Sequence, residues 1–142
     1  MNNTKVGMKI AKTVLVTDKM VKDFAKISTD ANPIHLDDKY AESSIFKKRV
    51  AHGMLIASFI SSVIGNDLPG EGTIYLKQDL NFRRPVFIDD EITILVEVIE
   101  LIEEKKRLVL KTECYNQKND LVLHGNACVQ NVRIFVNKEE GK

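Results

Sequence analysis

Alternation between apolar and polar residues dominates the second half of the chain. The positions of one parity are Ile74, Leu76, Leu80 and Phe82 in residues 73–82, Ile92, Ile94, Val96 and Val98 in residues 91–100, and Leu108, Leu110, Thr112 and Cys114 in residues 107–115. Polar clusters at 103–107 and 117–120 form turns, and a last long strand follows over residues 121–136. A period of two is typical of strands. The pattern therefore predicts a four-strand antiparallel meander.

The first third of the chain carries shorter signals of mixed type. Residues 6–16 contain an extended stretch with β-branched side chains. Thr17 stands where a helix N-cap is expected, and apolar residues then recur at helical spacing until the helix ends near Thr29. A loop is predicted over residues 30–36, and a second short helix begins near Asp37.

Residues 52–65 (HGMLIASFISSVIG) predict a helix with apolar residues on nearly every side. Such a helix must be buried on most of its surface. It is too short and too rich in serine to cross a bilayer, so the surrounding protein must cover it. Gly65, Asn66 and the following Leu-Pro-Gly end the helix.

These elements together predict an α+β chain with a hot-dog fold, in which an antiparallel sheet wraps around one long buried helix. We expect a single domain over residues 1–142, with a core at about residues 8–136. One copy leaves the sheet edge and the helix ends incompletely covered. The interpretation therefore includes a double hot-dog homodimer, in which a second copy covers these surfaces.

Composition excludes several classes of function. The net charge of +1 provides no excess of basic residues for nucleic acid, and no apolar run is long enough for a membrane span. The N-terminus does not resemble a secretory signal. Cys114 and Cys128 have no partner at metal-ligand spacing, so we expect buried thiols and a cytoplasmic protein.

The candidate chemistry lies in the stretch Asp-Ala-Asn-Pro-Ile-His-Leu-Asp at residues 30–37. Pro33 fixes its own φ and disfavours a helical Asn32, which makes the loop stiff. An ionised Asp30 and a neutral His35 can both accept hydrogen bonds from one water and deprotonate it. Aspartate in a turn commonly serves only as a local hydrogen-bond acceptor, so the pair and its setting carry the hypothesis.

A second candidate feature is Ala-His-Gly-Met at residues 51–54, where the apolar helix opens. The first N–H groups of a helix have no partners within it and carry the positive end of the dipole. Gly53 has no Cβ, so a ligand oxygen can approach its N–H closely. We expect this N–H to stabilise developing negative charge on a ligand. His52 is expected to be structural, with a hydrogen bond to the motif loop or to backbone.

The stretches DANPIHLD, FKKRVAHGML and LPGEGTIYLKQDLNFRRPVFIDDEI resemble the MaoC-like (R)-specific enoyl-CoA hydratases over about residues 20–130. The resemblance implies a hot-dog dimer that interconverts trans-2-enoyl-CoA and (R)-3-hydroxyacyl-CoA. It implies that Asp30 and His35 are catalytic, that the Gly53 N–H binds the thioester oxygen, and that Ser61 helps to orient the aspartate. Asn32 is expected to fix the loop, and a contact with the substrate stays open. The expected partners are an acyl-CoA thioester substrate and a second copy of the chain, with no metal, cofactor, nucleic acid or membrane.

Two other functions stay open at this point. A hot-dog thioesterase would use an acidic residue on or beside the long helix, and residues 53–65 contain none. A non-catalytic acyl-CoA-binding module would be expected to carry a broken Asp–His pair. The acyl chain length, the carrier, the pathway and its net direction are not given by the sequence. Which basic residues contact the phosphates of the substrate also stays open, with Lys47-Lys48-Arg49 and Arg83-Arg84 among the candidates.

Overall fold

A computed structural model describes residues 4–135 of the chain. The strands are β1 (Lys9–Leu15), β2 (Ile74–Gln78), β3 (Asn81–Phe82), β4 (Glu91–Ile102), β5 (Arg107–Tyr115) and β6 (Leu121–Gln130). The α-helices are α1 (Asp18–Ser28), α2 (Pro33–Leu36), α3 (Asp38–Glu42) and α4 (Gly53–Asn66). Short 3-10 helices cover Glu103–Lys105 and Val132–Phe135. The order confirms the helical first half and the strand-rich second half.

The six strands form one antiparallel sheet in the order β1-β4-β5-β6-β2, and β3 also pairs with β6. The predicted meander is therefore wrong in one respect. The strand predicted over residues 73–82 does not neighbour β4; it splits into β2 and β3, which both pair with β6. Gly125 of β6 makes room for the bend between them, because a Cβ there would lie 1.8 Å from the carbonyl oxygen of Asp79.

The edge formed by β2 and β3 exposes apolar side chains. Ile74, Leu76 and Phe82 are all exposed, although they share a parity with the half-buried Leu80. A register shift between Tyr75 and Lys77 interrupts the alternation on this edge. Period-two spacing therefore does not put these residues on one buried face. Among residues 4–135 of one chain, β2 has a strand neighbour on one side only.

The core lies between α4 and the sheet, as predicted. Its buried residues include Leu55, Ile56, Ile60, Val63 and Ile64 from α4, Ile92, Ile94, Val96 and Val98 from β4, and Leu108 and Leu110 from β5. The opposite stripe of α4 is exposed and comprises Met54, Ser58, Ser61, Ser62 and Gly65. Within one chain the side of α4 that faces the sheet is therefore buried, and the exposed stripe is where a second copy is expected to cover the helix.

Local sequence signals predict some helix and strand ends correctly and others wrongly. The Thr17 side chain accepts a hydrogen bond from the Met20 N–H at 3.1 Å, which confirms the predicted cap of α1. The last strand is shorter than its predicted range of residues 121–136, because β6 stops at Gln130. Residue 136 itself lies outside the described range. The buried amide of Asn131 donates to the Glu71 carbonyl and to the Thr73 hydroxyl, and the 3-10 helix follows.

Both cysteines are free thiols. Cys114 is fully buried, as expected, and burial raises the pKa of its thiol to about 12. Cys128 is only partly buried. Among the helices within residues 4–135, none has the length and apolar character that crossing a bilayer requires.

Candidate active site

The motif loop is held by hydrogen bonds from its own backbone N–H groups to its own side chains. Asn32 caps α2, because its side-chain oxygen accepts a hydrogen bond from the Ile34 N–H at 3.2 Å, and Pro33 is the first helical residue. The Asn32 N–H in turn donates to Oδ1 of Asp30 at 3.3 Å. The predicted loop over residues 30–36 is thus a turn that continues into one helical turn. These two hydrogen bonds are consistent with the predicted loop role of Asn32, which stays a prediction.

Asp30 and His35 are brought together by this turn. Oδ2 of Asp30 lies 4.0 Å from Nε2 of His35. Nδ1 of His35 lies 2.7 Å from the carbonyl oxygen of Val50, which can only accept, so Nδ1 carries the proton of the neutral ring. Nε2 is then an unprotonated acceptor. The gap to Asp30 is too long for a direct hydrogen bond, and two acceptors so arranged can both accept from one water.

His35 and Gly53 line the same cavity, which has a volume of about 610 Å³. Its walls are mainly apolar and include Phe46, Met54, Ile56, Phe82, Val122 and Leu123. The His35 side chain is largely buried, whereas that of Asp30 is half exposed and does not line the cavity. The cavity can hold an apolar ligand beside the imidazole, and the Asp30 carboxylate lies next to the same imidazole without lining the cavity.

Gly53 is the first residue of α4, and His52 is its N-cap without a side-chain capping bond. Within residues 4–135, the Gly53 N–H donates no hydrogen bond. A Cβ at residue 53 would lie 2.6 Å from Cε1 of Phe82, which forms part of the cavity wall. Any larger residue would force the exposed Phe82 ring to move, and with glycine the unpaired N–H lies at the cavity where a ligand oxygen can approach it.

His52 has the structural role that was predicted for it. The side chain is buried, and Nε2 lies 2.9 Å from the carbonyl oxygen of Asp30, to which it donates. Its ring stacks on the ring of His35, with the two centroids 3.8 Å apart. The ring of Phe24 is tilted against the His52 ring, with centroids 4.9 Å apart. His52 therefore holds the backbone of one member of the candidate pair and the ring of the other.

Asp30, His35 and His52 also have the spacing of a metal site, because one ligand atom from each lies within 4.8 Å of the others. The hydrogen bonds already use one nitrogen of each ring. Nδ1 of His35 and Nε2 of His52 both donate to carbonyl oxygens, which leaves Nε2 of His35 and the buried Nδ1 of His52 unprotonated. Oδ2 of Asp30 and Nε2 of His35 remain as acceptors, and this arrangement suits a bound water.

Ser61 is not brought to the candidate pair within one chain. It lies on the exposed stripe of α4, and in the part of the chain that the structure describes its hydroxyl forms no hydrogen bond with Asp30. The orienting role expected for Ser61 stays a prediction.

Arg49 is the residue that sequence reasoning placed wrongly. Its neighbours Lys47 and Lys48 predict a solvated basic cluster, with the choice of any phosphate contact left open, but the Arg49 side chain is buried. Nε donates to the carbonyl oxygen of His35 at 2.7 Å, and Nη2 pairs with Asp18 at 2.6 Å. Lys22 and then Arg49 lower the pKa of the Asp18 carboxyl. The one available signal was its position two residues before the Ala-His-Gly-Met stretch that contains Gly53.

A second, more polar cavity adjoins the first. Its volume is about 250 Å³, and it shares Arg84 and Pro85 with the larger one. Lys48 and Lys118 also line it, and the Lys48 ammonium lies 4.4 Å from the centroid of the Phe87 ring. Three cationic side chains therefore line the smaller cavity next to the apolar one, together with Asp90 and Asp120.

Solved structures of similar shape identify the fold. The chain superposes on the (R)-hydratase from A. caviae involved in PHA biosynthesis with a TM-score of 0.89 and 40% identity, over 92% of this chain and 99% of that one. The unliganded R-hydratase PhaJ1 from Pseudomonas aeruginosa gives a TM-score of 0.87 and 41% identity, over 90% and 82% of the two chains. These likenesses confirm the predicted hot-dog fold.

Sequence comparison gives the family. The chain is 44% identical over 120 residues to an (R)-specific enoyl-CoA hydratase from Rhodospirillum rubrum, which covers 84% of this chain and 81% of the relative. It is 44% identical over 110 residues to an (R)-specific enoyl-CoA hydratase from Aeromonas caviae, with 78% and 82% covered. The family model described as MaoC like domain matches residues 2–120. This chain therefore belongs to the MaoC-like domain family, as its motifs had suggested.

Proposed function

We propose that this protein is a hydro-lyase that reversibly hydrates trans-2-enoyl-CoA to (R)-3-hydroxyacyl-CoA. Two curated relatives at 44% identity are named (R)-specific enoyl-CoA hydratase. The observation that carries the proposal is the pair of acceptors, Oδ2 of Asp30 and Nε2 of His35, 4.0 Å apart. His35 and Gly53 line one apolar cavity, and this supports an acyl substrate.

In the proposed mechanism Asp30 and His35 hold one water between them. Its oxygen attacks C3 of the enoyl group while a proton moves to the pair, where Nε2 of His35 is the unprotonated nitrogen. The electron pair of the double bond shifts toward the thioester oxygen, which the Gly53 N–H stabilises as negative charge develops. The same pair then returns a proton to C2. Atoms balance, since one water adds across one double bond.

The mechanism requires only proton transfer and hydrogen bonding, and we propose that no metal or redox cofactor takes part. Activity should therefore be retained after dialysis against a chelator. Loss of activity on chelation, with recovery on adding back a divalent ion, would contradict it.

A thioesterase is the alternative on the same fold, and the long helix argues against it. α4 spans Gly53–Asn66 and contains no acidic residue. Thiol released from a saturated acyl-CoA, followed with a thiol dye, would reveal this activity. A non-catalytic module is the other alternative, and ligand binding without turnover would favour it over both enzymes.

Two exposed surfaces support a homodimer. The β2 edge exposes Ile74 and Leu76, and the uncovered stripe of α4 includes Met54 and Ser61. We propose that a second copy covers them, as in a double hot-dog. Leu76→Lys should shift the mass measured by light scattering from dimer toward monomer. The control is Ile27→Lys, at an exposed apolar position on α1, which should leave the mass unchanged.

The CoA phosphates require cationic partners, and the smaller polar cavity offers Lys48, Arg84 and Lys118. We propose that this side of the apolar cavity faces the CoA end of the substrate. A raised KM for an enoyl-CoA in Lys118→Ala, with unchanged kcat, would support that orientation.

We also propose a cytoplasmic location, which the two free thiols support.

The test of the proposed activity is turnover of enoyl-CoA thioesters of increasing length, with chiral analysis of the product. We expect consumption of crotonyl-CoA and formation of the (R) alcohol. An (S) product, or no hydration at any chain length, would refute the proposal. The same series presented on acyl-carrier protein would identify the preferred carrier.

A further inference from the structure

Arg49 joins three segments of the chain around the candidate site. Its Nε lies 2.7 Å from the carbonyl oxygen of His35, and its Nη2 lies 2.6 Å from Oδ1 of Asp18 at the start of α1. Nη1 lies 3.8 Å from Asp38, at the start of α3. The side chain is buried although it is charged, and such a burial is tolerated only when the charge is paired and hydrogen-bonded.

The segment that contains Arg49 also holds the ring of His35. The Val50 N–H donates to the carbonyl oxygen of Ile34 at 3.2 Å, and the Val50 carbonyl accepts from Nδ1 of His35 at 2.7 Å. Residues 49 and 50 thus form three hydrogen bonds with residues 34 and 35. One fixes the His35 backbone, one fixes the preceding residue, and one fixes the tautomer of the ring.

We propose that Arg49 is a positioning residue for the hydration reaction: through its bonds to His35 and Asp18 it keeps Nε2 of His35 directed at the Asp30 carboxylate. The inference rests on the proposed function, because it assigns Arg49 a role in that reaction. Arg49 does not line the cavity, so it acts through His35 and not on the substrate.

The guanidinium is suited to this role in a way that an ammonium is not. Its planar group presents Nε–H to the His35 carbonyl and Nη2–H to Asp18 at the same time. Lysine keeps the positive charge but has a single nitrogen at the end of a flexible chain. Arg49→Lys therefore separates the effect of geometry from the effect of charge.

The first test is steady-state kinetics of Arg49→Lys. We expect kcat to fall about 10- to 100-fold with KM nearly unchanged, since a small displacement of a catalytic group lowers the rate without altering ground-state binding. The control is Arg133→Lys, where an exposed arginine pairs with Glu71 at 3.0 Å away from the cavity. It should retain the wild-type kcat. A wild-type kcat in Arg49→Lys, or a change confined to KM, would overturn the proposal.

If Arg49→Lys does not fold, Asp18→Asn replaces it in the kinetic test. This change keeps an oxygen acceptor at the half-exposed end of the pair and removes its charge. A lower kcat at unchanged KM would support the proposal, and an unchanged kcat would overturn it.

The second test does not require turnover. The chain has three histidines, so nitrogen NMR can resolve each imidazole. In the wild type we expect His35 to be protonated at Nδ1, and in Arg49→Lys we expect a mixture of tautomers or faster exchange of the Nδ1 proton. An unaltered His35 spectrum in Arg49→Lys would overturn the proposal. If the wild type hydrates no enoyl-CoA, the proposed function fails, while the spectra still report whether Arg49 holds the ring.

Discussion

Nδ1 of His35 donates its proton to the carbonyl oxygen of Val50 across 2.7 Å. This bond determines what the other side of the ring can do, because a neutral imidazole has one protonated nitrogen and one acceptor. Nε2 is thereby left as the acceptor, 4.0 Å from the Asp30 carboxylate. Val50 lies 15 residues beyond His35, so the reactive tautomer is set by packing between distant segments and not by the motif alone.

Gly53→Ala tests the site at the start of α4. The new Cβ would lie 2.6 Å from Cε1 of Phe82, in the wall of the cavity, so either the ring or the bound thioester must move away from the N–H. We expect kcat to fall by up to about 10²-fold, comparable with the loss of one oxyanion donor. Steady-state kinetics with crotonyl-CoA gives the measurement.

Gly65→Ala is the matched control on the same helix. Among residues 4–135 of one chain, a Cβ at residue 65 meets nothing within 4 Å, and alanine is more favourable than glycine in a helix by about 0.5–1 kcal/mol. Because Gly65 lies on the α4 stripe that the proposed homodimer covers, light scattering first checks that the variant has the mass of the wild type. It should then be as active as the wild type and slightly more stable in urea. Equal activity of the wild type and Gly53→Ala would show that the residue 53 N–H does not contact the reacting oxygen.

His52→Leu tests the support beneath the pair. Leucine keeps the packing volume on Phe24 but loses the hydrogen bond to the Asp30 carbonyl and the stacked imidazole. We expect about 10-fold or greater loss of kcat from misplacement of Asp30 and His35. The unfolding free energy should change by less than about 1.5 kcal/mol, because Nδ1 of His52 is buried without a partner among the described residues and its removal offsets the lost bond.

His52→Gln gives the internal comparison for that experiment. Its amide N–H can still donate to the Asp30 carbonyl, so kcat should recover part of the loss seen in His52→Leu. Urea unfolding followed by circular dichroism checks that both variants are folded under assay conditions. If His52→Leu retains full kcat, the proposed positioning by His52 is wrong.

Much of the fold follows from the sequence because the relevant information is local. Alternation at Ile92–Val98 and Leu108–Cys114 correctly identified the buried face of β4 and β5, and Thr17 correctly marked the start of α1. The pairing of β2 with β6 could not be predicted in this way. Alternation indicates which residues share a face, but strand neighbours are decided by contacts between distant segments.

In the candidate site, too, local features could be predicted from the sequence, whereas contacts between distant segments could not. Asp30, Asn32 and His35 lie within six residues, so their turn could be predicted from proline and asparagine chemistry. Arg49 could not be recognised, because its partners Asp18 and His35 lie 31 and 14 residues away. Beside Lys47 and Lys48 it has the composition of a solvated basic cluster, and only the three-dimensional arrangement separates them.

The Asp18 carboxylate should make stability depend on acid pH. Hydrogen bonds from Lys22 and then Arg49 lower its pKa in the folded protein below the ordinary value of 3.8. A lowered carboxyl pKa stabilises the fold above that ordinary value, and the contribution disappears as the pH falls through the folded pKa. Because the carboxylate is half exposed, the effect is expected to be small.

Asp18→Asn isolates this contribution. Urea unfolding at neutral pH should show the variant to be less stable than the wild type, and the difference should shrink as the pH falls below 3.8. A difference that is constant from neutral pH down to acid pH would show that the charge of Asp18 does not contribute.

The central claim is that Asp30 and His35 act on one shared water, and a double-mutant cycle tests it most directly. Asp30→Asn, His35→Gln and the combined variant are compared by kcat for crotonyl-CoA hydration, with folding checked by circular dichroism. Each single change should lower kcat by about 10²- to 10⁴-fold. The double variant should lose little more than the worse single variant, because residues that act as a unit are strongly non-additive. Losses that multiply in the double variant, or near-normal turnover in either single variant, would contradict the account.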